Sequence, residues 1–175
     1  MKIRDWYFQG WERRADEQGK KQFYYTGEYY RFRDGIRPVR LHLTAAAVVL
    51  TALYLLLTLC PTEGGMWRIA AIPQLLELIP LIYLMMAVVR LLANPEKMNY
   101  RQYHASWLRG RRSLWWSGGF CAVCAAVELV FLLSGQGVIH LISELLWLAG
   151  WIIAALLSFF CARYLTRQRP DTFTE

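Results

Sequence analysis

Three carboxylic acids, Glu77, Glu128 and Glu144, stand inside otherwise apolar stretches of this chain, and His140 lies one helical turn before Glu144. A charged side chain at the centre of a bilayer costs at least about 2.5–3.5 kcal/mol on insertion scales, so an acid placed there needs a proton, an ion or a partner. On helices, Gln74 shares a face with Glu77, Cys124 with Glu128 and His140 with Glu144, at separations of three or four residues. Gln74, Glu77, Glu128, His140 and Glu144 therefore make a candidate ion or proton site. Low dielectric disfavours the charged carboxylate, and a neighbouring histidine can share or relay the proton. A rise of about 1.5 Å per residue, counted from the outer turns, puts Glu128 and Glu144 roughly 9–11 Å deep and Glu77 roughly 15 Å deep. The same acids serve equally as protonated or hydrogen-bonded links between helices, and the sequence alone favours that plainer role.

Other chemistry has less support. His140 and Glu144 with Cys124 would suit zinc, but one ligand pair at helical spacing defines no metal. Cys121-Ala122-Val123-Cys124 has the spacing of a redox dithiol. It lies deep in an apolar stretch, however, where thiols are poorly reactive, and the outer turns carry no cysteine beyond Cys60 at a helix end. No phosphate-binding loop, HExxH or GxSxG pattern occurs, so the sequence establishes no catalysis and calls for no cofactor. Pro73 and Pro80 bracket Glu77; each removes a helical hydrogen bond, which predicts a kink and freed carbonyls beside that acid.

The elements that must carry these residues are legible in the apolar pattern. With 56% hydrophobic and only 19% charged residues, the chain is too apolar for a soluble domain of 175 residues. Spans are expected at about 41–60, 67–93, 114–133 and 138–164, each near the 20 residues that cross a hydrocarbon core about 30 Å thick. The N-terminal residues have no apolar stretch of signal-peptide length, so the first span is expected to remain as an anchor. Pro61-Thr62-Glu63-Gly64-Gly65 and Ser134-Gly135-Gln136-Gly137 read as tight outer turns, with the glycines supplying unusual backbone angles. The polar stretch 94–113 reads as an inner loop. Ala45-Ala46-Ala47, Gly118-Gly119, Gly150 and Ala154-Ala155 are small enough for close helix contacts.

Lysine and arginine crowd the N-terminal segment, the middle loop and the tail, while the outer turns have none and only Arg68 lies near that side. By the positive-inside rule both ends face the cytoplasm. The expected fold is an all-α membrane protein: a four-transmembrane-helix bundle, N-in/C-in, preceded by a short polar N-terminal cytoplasmic segment. Residues 1–40 form that basic, aromatic segment, with Thr26-Gly27 placed to turn a short hairpin, and 165–175 form a cytoplasmic tail.

The net charge of +7 flanks apolar blocks instead of lining an independent domain, so nucleic acid is not expected as a partner. Arg31, Arg33, Arg37, Arg40, Arg109, Arg111 and Arg112 are candidates for contact with membrane lipids at the interface or with a partner. Most polar mass lies at one end and the outer turns are minimal. That points first to an accessory or interaction subunit that joins another membrane protein or a copy of itself. The alternative is a small oligomeric cation- or proton-coupled transporter or channel that uses the buried glutamates. The absence of an N-x-S/T site on the outer turns fits a bacterial cytoplasmic membrane.

Overall fold

The computed structural model describes residues 11–15, 21–33, 35–60, 62–94, 96–135, 141–168 and 170–173. His140, one of the residues singled out above, lies outside them. The described helices are α1 (Ile36–Leu59), α2 (Glu63–Met66), α3 (Arg68–Ala93), α4 (Tyr100–Leu133, with a π turn at His104–Leu108) and α5 (Leu141–Arg167). Of these, α1, α3, α4 and α5 are long and apolar enough to cross a membrane. Leucine, isoleucine and valine project outward along all four, as at Val48, Ile72, Leu133 and Ile142. Apolar exposure on that scale is unfavourable in water and suits lipid.

Helices α1, α3, α4 and α5 close in a ring, with α1 packed on α3 and α5, and α4 packed on the same two from the opposite side. Small residues set the spacing. A Cβ on Gly150 would come within 2.5 Å of Leu57, and one on Gly118 within 2.7 Å of Phe159, whereas Gly119 faces open space. The backbones therefore approach closely where α5 meets α1 and where α4 meets α5, as small-residue packing in membranes requires.

The polar end is more ordered than its composition suggests. Helix α1 begins at Ile36, five residues before the expected span, so Arg37, Pro38 and Arg40 lie in its first turns. Pro38 is harmless there, because the first N–H groups of a helix have no intrahelical partner. The stretch read as an inner loop is largely helix: Asn99 caps α4 through a reciprocal pair, accepting from the Gln102 N–H at 2.8 Å while its own N–H donates to Gln102 Oε1 at 3.0 Å. Polarity forces a segment out of hydrocarbon but does not stop a helix from continuing into water.

Strands β1 (Trp11–Ala15) and β2 (Lys21–Tyr25) pair with each other. The hairpin expected around Thr26-Gly27 does not form. Instead β3 (Tyr29–Phe32) is the central strand of a second sheet, between β4 (Met98–Asn99) and β5 (Pro170–Phe173). A strand can satisfy its backbone with any aligned edge nearby, and here the α3–α4 connection and the tail supply both edges, each antiparallel to β3. This sheet ties the segment before α1, the connection after α3 and the segment after α5 to one end of the bundle. Tyr30 stacks on Tyr103 at 4.2 Å and Tyr103 on Trp107 at 5.2 Å, while Arg111 sits 4.7 Å over the Trp107 ring. Arg40 reaches across from α1 to cap the end of α3, donating to the Leu91 carbonyl at 3.1 Å and to the Asn94 carbonyl.

Trp107 is 1% exposed and joins the sheet to α4. Replacing it with alanine is expected to destabilise the protein by about 3–5 kcal/mol, the usual cost of deleting a buried large aromatic, read as a shifted unfolding midpoint in detergent.

Candidate functional site

Two polar centres lie inside the ring of helices. The first is built on Glu77, held on α3 between the buried prolines Pro73 and Pro80 and only 1% exposed. Its Oε1 accepts a hydrogen bond from the Ser117 hydroxyl of α4 at 2.5 Å. The Ser117 and Ser158 hydroxyls lie 3.4 Å apart, and Ser158 donates to the Ala154 carbonyl of its own helix at 2.8 Å. The Cys121 thiol also contacts Glu77, and Tyr54 of α1 lies close enough to interact with it electrostatically. Tyr54 donates to the Gln74 carbonyl at 3.2 Å. Residues of α1 and α4 thus meet this acid of α3, α5 joins through Ser158 on Ser117, and Glu77 Oε2 has no hydrogen-bond partner among the described residues.

The second centre pairs Glu128 of α4 with Glu144 of α5, both 0% exposed and in direct electrostatic contact. Glu144 Oε1 accepts from the backbone N–H of Glu63 at 2.7 Å, and both of its oxygens receive a longer contact from Gly64 N–H at 3.4 Å. Those donors belong to α2, a single turn capped by Thr62, whose hydroxyl accepts from Gly65 N–H at 3.0 Å. Glu128 is different. Among the described residues neither of its oxygens meets a donor group, and it can hydrogen-bond to the neighbouring Glu144 carboxyl only when the two share a proton.

The turn over this pair exists because of its glycines, but not for the reason the sequence suggested. Among the described glycines only Gly35 and Gly135 have positive φ, so Gly64 and Gly65 are not there for unusual backbone angles. They are there for space. A Cβ on Gly64 would fall 2.1 Å from Glu128 Oε2, and one on Gly65 would fall 2.6 Å from Thr62 Oγ1 and 3.3 Å from Trp147. The backbone of the turn therefore rests directly on the Glu128 carboxyl. Trp147 locks the arrangement from α5, its indole N–H donating to the Leu57 carbonyl at 3.0 Å.

Of the residues singled out in the sequence, the fold brings Glu128 and Glu144 together and sets Glu77 apart. Ser117, the partner of Glu77, stands eleven residues from Glu128 on α4, about 16 Å along the axis. Cys124 lies on α4 between the two centres, fully buried. The Gln74 side-chain Nε2 has no partner among the described residues, so this residue meets the site through its backbone. No group of three or more His, Cys, Asp or Glu among the described residues is placed to hold a metal ion. Of the basic candidates, Arg31, Arg33, Arg37 and Arg112 are exposed. Arg40 caps α3, Arg111 covers Trp107, and Arg109 lies 5.5 Å over the Tyr83 ring. The sequence reading missed Ser117, Ser158 and Tyr54, whose only signal was a hydroxyl inside an apolar span.

Comparison with known protein families, curated proteins and solved structures gives no match.

Gly64→Ala is expected to destabilise the bundle by about 1–3 kcal/mol, the typical cost of overpacking. Adding Glu128→Ala removes the group that the new methyl would strike. Thermal unfolding should then show the double variant more stable than the sum of the two single losses.

Proposed function

We propose that this is an integral membrane protein whose Glu128–Glu144 pair takes up a proton or a small cation at the end of the bundle covered by residues 62–67. The observation that carries the reading is the fully buried Glu128 carboxyl, in contact with the Glu144 carboxyl and met by no donor group among the described residues. Two adjacent carboxylates out of water do not both stay charged, because their repulsion adds to the desolvation cost. A proton or cation between them relieves both. Glu144 is held by two backbone N–H groups, so it is the fixed member and Glu128 the member free to change state. The α2 turn lies over the pair, and exchange requires it to lift.

Orientation follows from charge. The sheet gathers Arg31, Arg33, Lys97 and Arg101 at one end, with Arg109, Arg111, Arg112, Arg163 and Arg167 on neighbouring helix ends, whereas Arg68 stands near the other. Positive residues favour the cytoplasm, giving N-in/C-in and an acid pair near the outer face. Cysteines introduced at Ser134 and at Lys97, each in a Cys60→Ser background, test this. A membrane-impermeant maleimide should label the first in intact cells and the second only after permeabilisation.

A second reading, an accessory subunit, has its own support. A groove of about 500 Å³ between α1 and α3, walled by Leu55, Ile82, Met85, Met86 and Val89, is apolar enough to seat a helix of another membrane protein or of a second copy. Flux separates the two. In proteoliposomes, Glu128→Gln should abolish proton or cation uptake while the purified protein unfolds at nearly the wild-type midpoint. Wild-type protein that moves neither, yet copurifies with a stoichiometric membrane partner, would favour the accessory role.

A further inference from the structure

A second cavity, of about 450 Å³, opens sideways between α3 and α4 toward the basic end of the bundle. Its upper wall carries His104, Arg109 and Arg112, and among the described residues no acidic one lines it. Its lower wall is apolar, formed by Ile79, Pro80, Trp116 and Phe120. Arg112 and Phe120 are eight residues apart on α4, about 12 Å along the axis.

Local structure explains why cations gather over an apolar slot. The π turn at His104–Leu108 inserts extra backbone into α4. Such a turn changes the direction in which the following side chains point relative to those before it. Trp107 thereby enters the core, while Arg109 and Arg112 share the α3-facing wall with His104. Arg109 is steadied over the Tyr83 ring at 5.5 Å, and Arg112 is near enough to His104 for their charges to interact. Two arginines, with the His104 imidazole beside them and no carboxylate among the described residues of the same wall, leave positive potential at the mouth of a slot whose depth is hydrocarbon. Gly110, between them in sequence, keeps α4 tight against Leu43 and Ala87, so the slot opens outward to lipid and not inward to the core.

We infer that this cavity is a binding site for one anionic phospholipid, its phosphate held by Arg109, Arg112 and His104 and an acyl chain lying along Pro80, Trp116 and Phe120. The division of the wall into a cationic mouth and an apolar depth matches the amphiphile, and a soluble phosphate would leave the apolar part unused. This site is separate from the Glu128–Glu144 pair and does not depend on its role.

The test is lipid titration of the full-length protein in mild detergent, followed by native mass spectrometry. Phosphatidylglycerol should bind as a single copy about tenfold more tightly than phosphatidylcholine, the scale expected for two arginines acting on one anionic headgroup. Arg109→Gln/Arg112→Gln should bring that ratio close to one. Arg109→Lys/Arg112→Lys should keep most of it, which separates lost charge from lost fold. Arg111→Gln should leave the ratio unchanged, because Arg111 covers Trp107 instead of lining the cavity. Millimolar inorganic phosphate should not displace the lipid. Equal binding of the two lipids, selectivity that survives the glutamine pair, or displacement by inorganic phosphate would each overturn the assignment.

Discussion

The arrangement depends on one constraint: three carboxyl groups, Glu77, Glu128 and Glu144, are buried inside the ring of helices. Each unsatisfied polar group in such a setting costs several kcal/mol, so the chain must surround it with donors or let it hold a proton or ion. Glu77 is met by Ser117 and Cys121, and Glu144 by the backbone of the α2 turn. Glu128 is met by another acid. The ring of helices and the glycines of the turn bring hydroxyls or backbone N–H groups to Glu77 and Glu144, and among the described residues one oxygen of Glu77 and both oxygens of Glu128 are left without a donor.

The two centres differ in what they can do. Glu77 on α3 is met by Ser117 and Cys121 of α4 and faces Tyr54 of α1, with α5 joined through the Ser117–Ser158 hydroxyl pair, an arrangement suited to fixing helix positions. The Glu128–Glu144 pair lies beneath one short turn, whose Glu63 and Gly64 N–H groups reach Glu144. A group supported by many elements is costly to move, whereas one covered by a four-residue helix can change state with a local opening. That contrast, rather than the number of acids, is the basis for proposing the Glu128–Glu144 pair and not Glu77 as the exchangeable site.

Much of this was legible in the residues. Apolar blocks of about 20 residues announce the four long helices, because crossing hydrocarbon leaves little freedom in length or composition. The buried acids were visible as violations of that same pattern. Their grouping was not, since it depends on which helix faces which and on how far each slides along its neighbour. Depth counting placed Glu77 at nearly the level of the other two, but the pairing of Glu77 with Ser117 sets it well away from Glu128 on α4. The polar end misled more: residues 100–113 read as loop because they are charged, yet an Asn99 capping box starts a helix there. Thr26-Gly27 looked like a hairpin, yet β3 finds its partners in the α3–α4 connection and the tail, which no local pattern encodes. Gly64 and Gly65 read in sequence as residues for unusual backbone angles, but what they provide, room for the Glu128 carboxyl at Gly64 and for Thr62 and Trp147 at Gly65, appears only in three dimensions.

The most direct measurement is infrared difference spectroscopy on the reconstituted protein, following the protonated-carboxyl stretch as pH and cation concentration change. If the pair exchanges a proton or cation, that band changes in the wild type and the change is lost in both Glu128→Gln and Glu144→Gln while surviving in Glu77→Gln. A band that stays constant under all conditions, or a change that disappears only with Glu77→Gln, would contradict the assignment of the exchangeable site to Glu128 and Glu144.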